Sequence, residues 1–208
     1  MIRIFNLTFL LFLLLITKAN SLIEIDITRG NLDPLPIAVS PLFQDDNSKK
    51  NSINELKLEN VGSEISSVVE NNLKTSGLFN PLSKEAFLQK PDIAHLKPRF
   101  EDWALIKAQA LITGKVTIEN KKLKVEFRLW DILAGREMMA LAFTTVPSNW
   151  RRVGHIISDK VYERLTGEKG YFDTRIIYVS EEGPKTARVK KLAIMDQDGF
   201  NTKYLTLG

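Results

Sequence analysis

The chain has no cysteine in 208 residues. A thiol nucleophile, a thiolate metal site and a disulfide are therefore all excluded, and an exported protein of this sequence must take its stability from packing alone. Histidine is nearly as scarce, with His95 and His155 the only two. With no second imidazole near either one in sequence, a zinc site is poorly provided for. Also missing are a phosphate-binding glycine loop, a G-x-S-x-G nucleophile elbow, an H-E-x-x-H helix and a calcium-loop pattern. Charge of one sign is lacking too: 29 Lys and Arg face 25 Asp and Glu, a formal net charge of +4. Two of those cations, Arg3 and Lys18, lie in the first 21 residues, so the remainder carries +2. That imbalance is too small to call for a nucleic-acid partner or an anionic membrane.

What is present begins with an export signal. Arg3 gives a positive start, Phe9 to Ile16 is uninterrupted and apolar but too short to span a bilayer, and Ala19-Asn20-Ser21 offers small residues for cleavage. Residues 1 to 21 are expected to be a cleaved secretory signal, leaving a protein not inserted in the membrane. No cysteine follows the apolar run, so a bacterial lipoprotein is excluded. With 44% hydrophobic and 26% charged residues, the rest has the makings of an ordinary core.

Periodicity divides the mature chain into elements. Ile23, Ile25 and Ile27 alternate with Glu24, Asp26 and Thr28, as in a strand with one apolar face, and Leu35 to Leu42 is a second short apolar run. The polar stretch from 44 to 60 reads as a surface loop. Val61, Ile65, Val68, Val69 and Leu73 recur at helical spacing after a candidate N-cap, Asn60, and before a stop at Gly77. Leu78 to Leu82 resembles a short strand, and weak helices are expected near Lys84 to Gln89 and Glu101 to Ala108. Three strands follow, Ala110 to Ile118, Leu123 to Trp130 and Met138 to Val146, with Leu123, Val125, Phe127 and Leu129 on the packed face of the middle one and Lys124, Glu126 and Arg128 on the wet face. A helix capped by Ser148 and ended by Gly167 carries Trp150, Val153, Ile157, Val161 and Leu165 as its core stripe.

The last part changes character. Arg175 to Val179, Arg188 to Met195 and Lys203 to Leu207 read as three strands joined by Glu182-Gly183-Pro184 and Asp196-Gln197-Asp198-Gly199. Together they look like most of one β-propeller blade. A blade cannot bury its own faces, so one incomplete copy suggests the front part of something larger, with faces such as Ile177 and Leu192 uncovered and the last forty residues loosely held. The expected architecture is an α/β domain of the α+β type with a mixed sheet and flanking helices over residues 22 to 166, then a linker and the start of a propeller over 167 to 208.

One helical face resembles a chemical site. His155, Asp159 and Glu163 follow one another at intervals of four, opposite the core stripe and facing away from the domain's own core. They could supply an acid/base pair or metal ligands, or simply form a solvated or interface-facing surface. The lysine pairs Lys121-Lys122 and Lys190-Lys191 read as solubilising turn and edge-strand charges.

Gly154-His155 with Ser158-Asp159, Tyr162 to Gly170, and Phe172 to Ile176 closely resemble the segment that joins the two domains of the TolB family, periplasmic components of the Tol-Pal system. Pro36-Ile37-Ala38-Val39, Asn72 to Leu82, Trp103, Ile112 to Val116 and Asp196 to Gly199 fall in the same family's order, so the similarity spans essentially the whole mature chain. The resemblance implies a binding protein without catalytic activity or cofactor, located in the periplasm. It further implies that an α/β domain packs on a six-bladed propeller, which binds the peptidoglycan-associated lipoprotein Pal. The start of the mature chain would engage the inner-membrane transducer TolA, and other outer-membrane proteins could be contacted as well. Such a protein supports outer-membrane integrity and envelope constriction in cell division. The sequence departs from the family in holding almost none of the propeller, which leaves Pal binding open. A propeller-associated hydrolase and a solute-binding protein are the competing classes.

The residues at 22 to 27 suggest how TolA would be held. Leu22, Ile23, Glu24, Ile25, Asp26 and Ile27 form an alternating segment able to add a strand to a partner's sheet edge, or to pair within the domain's own sheet. His155, Asp159 and Glu163 in turn are candidates for an interdomain face that sets how the propeller docks.

Overall fold

The structure, a computed structural model, describes residues 23, 25 and 33–207. The expected signal at 1 to 21, and the positions Leu22, Glu24, Asp26 and Ile27, lie outside the described residues. Ile23 and Ile25 are described, and neither belongs to a strand.

The first sheet grows from a parallel half and a meander. Strand β1 (Leu35–Val39) pairs in parallel with both β3 (Phe79–Pro81) and β4 (Ala110–Glu119). Strands β4, β5 (Lys122–Asp131) and β6 (Arg136–Thr145) then run antiparallel, giving the order β3-β1-β4-β5-β6, with the short β2 (Phe43–Gln44) also laid on β4. The β4–β5 connection is a two-residue turn in which Asn120 and Lys121 both take positive φ, 50° and 59°. That backbone matches the twist of the flanking strands. Gly114 in β4 is needed for close approach, since an added Cβ would lie 2.1 Å from the Glu126 carbonyl oxygen.

Strand alternation sorts the core into two layers. Ile37 and Val39 of β1, Ile112 of β4, and Leu123, Val125, Phe127 and Leu129 of β5 point to one face. There they meet Ile65, Val69 and Leu73 of a helix at Val61–Thr75 and Ile157, Val161 and Leu165 of a helix at Trp150–Thr166. The intervening residues Ala38 and Leu111 join Trp103, Ala108 and Ile132 in a smaller cluster on the opposite face. That face is therefore wet only toward β5 and β6, where Lys124 and Arg128 are exposed.

The helices follow local signals with three corrections. The segment expected as a loop at 44 to 60 contains helix α1 (Asp46–Leu56), N-capped by Asp45, which accepts the Ser48 backbone N–H at 2.8 Å. It docks through polar groups: Ser48 Oγ accepts the Ile118 N–H, and Asn51 donates to the Ile118 carbonyl at 2.7 Å. A helix held this way shows no apolar period in sequence. Helix α2 (Val61–Thr75) starts at the expected cap, with Asn60 accepting the Ser63 N–H. A 3₁₀ turn at Lys84–Ala86 and a one-turn α3 (Pro91–Ala94) stand in place of the first weak helix, and the second is α4 (Phe100–Leu105). Helix α5 (Trp150–Thr166) does not start at Ser148, because Pro147 begins a 3₁₀ turn that carries Ser148 and Asn149 into it. Its end is the expected one: Gly167, at φ 76°, donates its N–H to the Glu163 carbonyl.

Strands β7 (Arg175–Glu182), β8 (Val189–Asp196) and β9 (Lys203–Tyr204) form a separate antiparallel sheet in that order. The third strand is shorter than its sequence suggests, although Leu205 still donates to the Leu192 carbonyl and Leu192 to Thr206 Oγ1. Ile177 is 62% exposed, and Val179, Val189 and Leu192 are exposed as well.

Candidate functional site

Helix α5 carries two faces with different tasks. Val153, Ile157, Val161 and Leu165 sit inside the first sheet's core, and Gly154 lets α2 come close, since a Cβ there would approach Val68 Cγ1 to 2.9 Å. Turning past that stripe brings His155, Ser158 and Asp159 against the linker and the second sheet. The expected direction of this face needs correction for its first member. His155 is 2% exposed, buried between α2 and the turn after β8 because Asn72 and Asp198 close over it.

Asn72 organises the buried part. Its amide nitrogen lies 2.9 Å from His155 Nδ1 and 3.0 Å from Ser158 Oγ, while its Oδ1 accepts from Gln197 Nε2 at 3.0 Å. One fully buried side chain thereby ties α2, α5 and the second sheet together. Because the Asn72 amide donates to Nδ1, the ring carries its proton on Nε2. Among the described residues that nitrogen has no hydrogen-bond partner, and the nearest carboxylate oxygen, Asp198 Oδ2, is 3.7 Å away. Burial pushes the imidazole below its usual range; Asp198 opposes this, and the Arg151 charge reinforces it.

Asp198 itself is held by Arg151. The two form an ion pair in which the carboxylate is 4% exposed, and the guanidinium carbon stacks 3.6 Å from the centre of the Phe200 ring. The turn that presents Asp198 is closed on itself: Gly199, at φ 86°, donates to the Asp196 carbonyl, and Asp196 to that of Phe200. Gln197 N–H reaches the Thr174 carbonyl, fixing the turn to the linker.

The linker is fixed by Asp159. Its two oxygens accept the backbone N–H groups of Phe172 at 2.6 Å and Asp173 at 3.1 Å. Gly170 presses against the same residue so closely that a Cβ would fall 2.4 Å from Asp159 Cα. Phe172 is fully buried beside Tyr162 and Tyr171, and Arg152 grips Asp173 through paired contacts of 3.0 and 3.1 Å. Burial, followed by the nearby Tyr162 and Asp159, raises the Tyr171 phenol above its ordinary value.

Glu163 stands apart from this group. Its side chain is 48% exposed and pairs with Lys160. His95 is also elsewhere, stacked on Phe43 with ring centres 4.4 Å apart. Of the N-terminal residues, Ile23 packs partly against the main core, and Ile25 is buried with its N–H donating to the Leu165 carbonyl at 2.7 Å. This satisfies one of the free carbonyls at the end of α5.

The chemistry available here is that of cohesion. Ser158, His155 and Asp198 superficially suggest a triad, but Ser158 Oγ donates to the Gly154 carbonyl and the free nitrogen of His155 points to Asp198. No base is therefore directed at the hydroxyl. His155, Asp196 and Asp198 also approach one another as metal ligands might, yet Arg151 already compensates Asp198, and Arg175 lies 3.9 Å from Asp196. A polar cavity of about 510 Å³ opens beside them, lined in part by Arg152, Asp173, Arg175 and Lys203. No helix among the described residues is long and apolar enough to cross a membrane. Sequence reasoning missed Asn72, Arg151 and Phe172. Their partners are 47 to 125 residues distant or act through backbone groups, although the turn holding Asp198 stood out by composition.

A family model described as the TolB amino-terminal domain matches residues 23–138. The Tol-Pal system protein TolB of Pelagibacter ubique (strain HTCC1062) is 78% identical over 200 residues, a match covering 96% of this chain and 45% of that protein. The crystal structure of TolB from Acinetobacter baumannii superposes with a TM-score of 0.67 at 24% identity, over 84% of this chain and 39% of that one, a likeness of fold. The chain thus spans less than half the length of these relatives.

Proposed function

The chain belongs to the TolB family, and we propose that it works as a non-enzymatic periplasmic part of the Tol-Pal system, lending surfaces to other envelope proteins. In this reading residues 22 to 166 are one domain, and 167 to 208 are a linker and the first strands of a propeller. Leu22 to Ile27 engage TolA by strand addition, and the continued propeller engages Pal, coupling the membranes and serving envelope constriction in cell division. The uncovered apolar residues Ile177 and Val179 support the blade assignment, since neighbouring blades would bury them.

The observation that carries this reading is the double use of helix α5. Its last turn receives Ile25, while its first three turns, through Arg151, His155 and Asp159, hold the linker and second sheet. A segment that leaves Leu165 to pair with TolA therefore alters the same helix that orients the propeller. Glu163 extends this interdomain face only if a later part of a longer chain reaches it.

Deletion of residues 22 to 27 tests the TolA assignment. Affinity for purified TolA is expected to fall at least tenfold, which corresponds to about 1.4 kcal/mol. Unchanged affinity contradicts strand addition by this segment.

A further inference from the structure

We propose that His155 makes the seam between helix α5 and the second sheet sensitive to pH, holding it closed when the imidazole is neutral and loosening it when the ring takes a second proton. The proposal rests on the reading above that this seam orients the two parts, and adds its regulation.

The geometry supplies the mechanism. Neutral His155 accepts from the Asn72 amide at Nδ1, and the same amide group bonds Ser158 on one side and Gln197 of the second sheet on the other. A second proton would have to go on Nδ1, because Nε2 already carries the first. Two donors would then face each other across 2.9 Å. Turning the Asn72 amide over relieves the clash but sets Nδ2 against Gln197 Nε2, so the link between α2 and the second sheet breaks unless the Gln197 amide turns over with it. The ring is 2% exposed and only borders the adjoining cavity, so little solvent can share the new charge.

The surrounding charges pull both ways. The second sheet presents Asp196 and Asp198, the linker presents Asp173, and helix α5 presents Arg151 beside its Asp198 partner. Beyond them in the adjoining cavity stand Arg152, Arg175 and Lys203. The carboxylates favour a charged ring, while burial and Arg151 oppose it, and opposition prevails in the closed seam. Opened to water, the imidazole returns to its ordinary value of about 6.5. The open state therefore takes up the proton first as pH falls, so stability of the closed seam is complete above about pH 6.5 and is lost progressively below it.

Hydrogen exchange of the amides in β8 and the following turn, corrected for intrinsic rates, measures the opening directly. Between pH 7.5 and pH 5.0 the opening constant is expected to rise by up to about thirtyfold, the ratio of charged to neutral form for an ordinary imidazole at the lower pH. Amides of β4 and β5 are expected to keep their protection. His155→Asn places an oxygen acceptor near the Nδ1 position and cannot titrate, so its pH response should be flat. In the unmodified chain the His155 imidazole resonance should titrate below 6.5. Equal seam protection at both pH values, an equal response in H155N, or titration at or above 6.5 overturns the pH switch and leaves the docked seam intact. A seam already unprotected at pH 7.5 overturns the docking reading itself.

Discussion

Replacing Asp198 with alanine is expected to cost about 3–5 kcal/mol, because it leaves the Arg151 guanidinium unpaired in a largely dry site. The carboxylate is 4% exposed and the Arg151 side chain 15%. Solvent from the adjoining cavity reaches only part of the Arg151 side chain. Arg151 would keep its contact with Phe200, which is worth far less than the ion pair it accompanies. The damage should be local: exchange protection of β8 and the turn at 196–201 collapses, while the first sheet, whose core lies elsewhere, stays protected. Equal loss of protection in β4 and β5 would show that the two sheets melt as one unit.

Asp159→Ala is expected to cost about 3 kcal/mol, from two backbone N–H groups deprived of a charged acceptor. Phe172 and Asp173 donate those groups, and Phe172 is fully buried among Tyr162 and Tyr171. Losing the anchor lets this aromatic lid lift. For a chain of this size each kcal/mol corresponds to about 2–4 °C in Tm, so a drop of roughly 6–12 °C follows if unfolding is two-state. Glu163→Ala should change Tm by no more than about 1–2 °C, the size of an ordinary exposed substitution. The two carboxylates stand four residues apart on one helical line, so the contrast isolates contact from position. Similar losses from both substitutions would mean that the linker anchorage at Asp159 contributes nothing special.

Those two residues also show how far sequence reasoning reaches. Spacing alone put His155, Asp159 and Glu163 on one line, which the helix keeps, but spacing carries no information about what is laid over that line. The linker returns across Asp159 through Gly170 packing and backbone donors, Asn72 and the turn after β8 close over His155, and Glu163 is left in solvent. The meander and helix α2 were readable because alternation and caps are local signals, as at Leu123 to Leu129 and Asn60. Helix α1 was not, because Ser48 and Ser52 occupy its buried side where an apolar stripe is normally sought. The start of α5 shifted for a similarly local reason, Pro147 winding the chain before the expected cap.

The central claim is that helix α5 joins the two sheets through specific charge contacts. A double-mutant cycle on Arg151 and Asp198, with Arg151→Ala, Asp198→Ala and the double variant compared by chemical unfolding, tests it most directly. The claim predicts that the double variant loses at least about 1.5 kcal/mol less than the two single losses combined, as expected for a close, desolvated pair. Strictly additive losses would contradict it, since the residues would then contribute to stability without acting on each other.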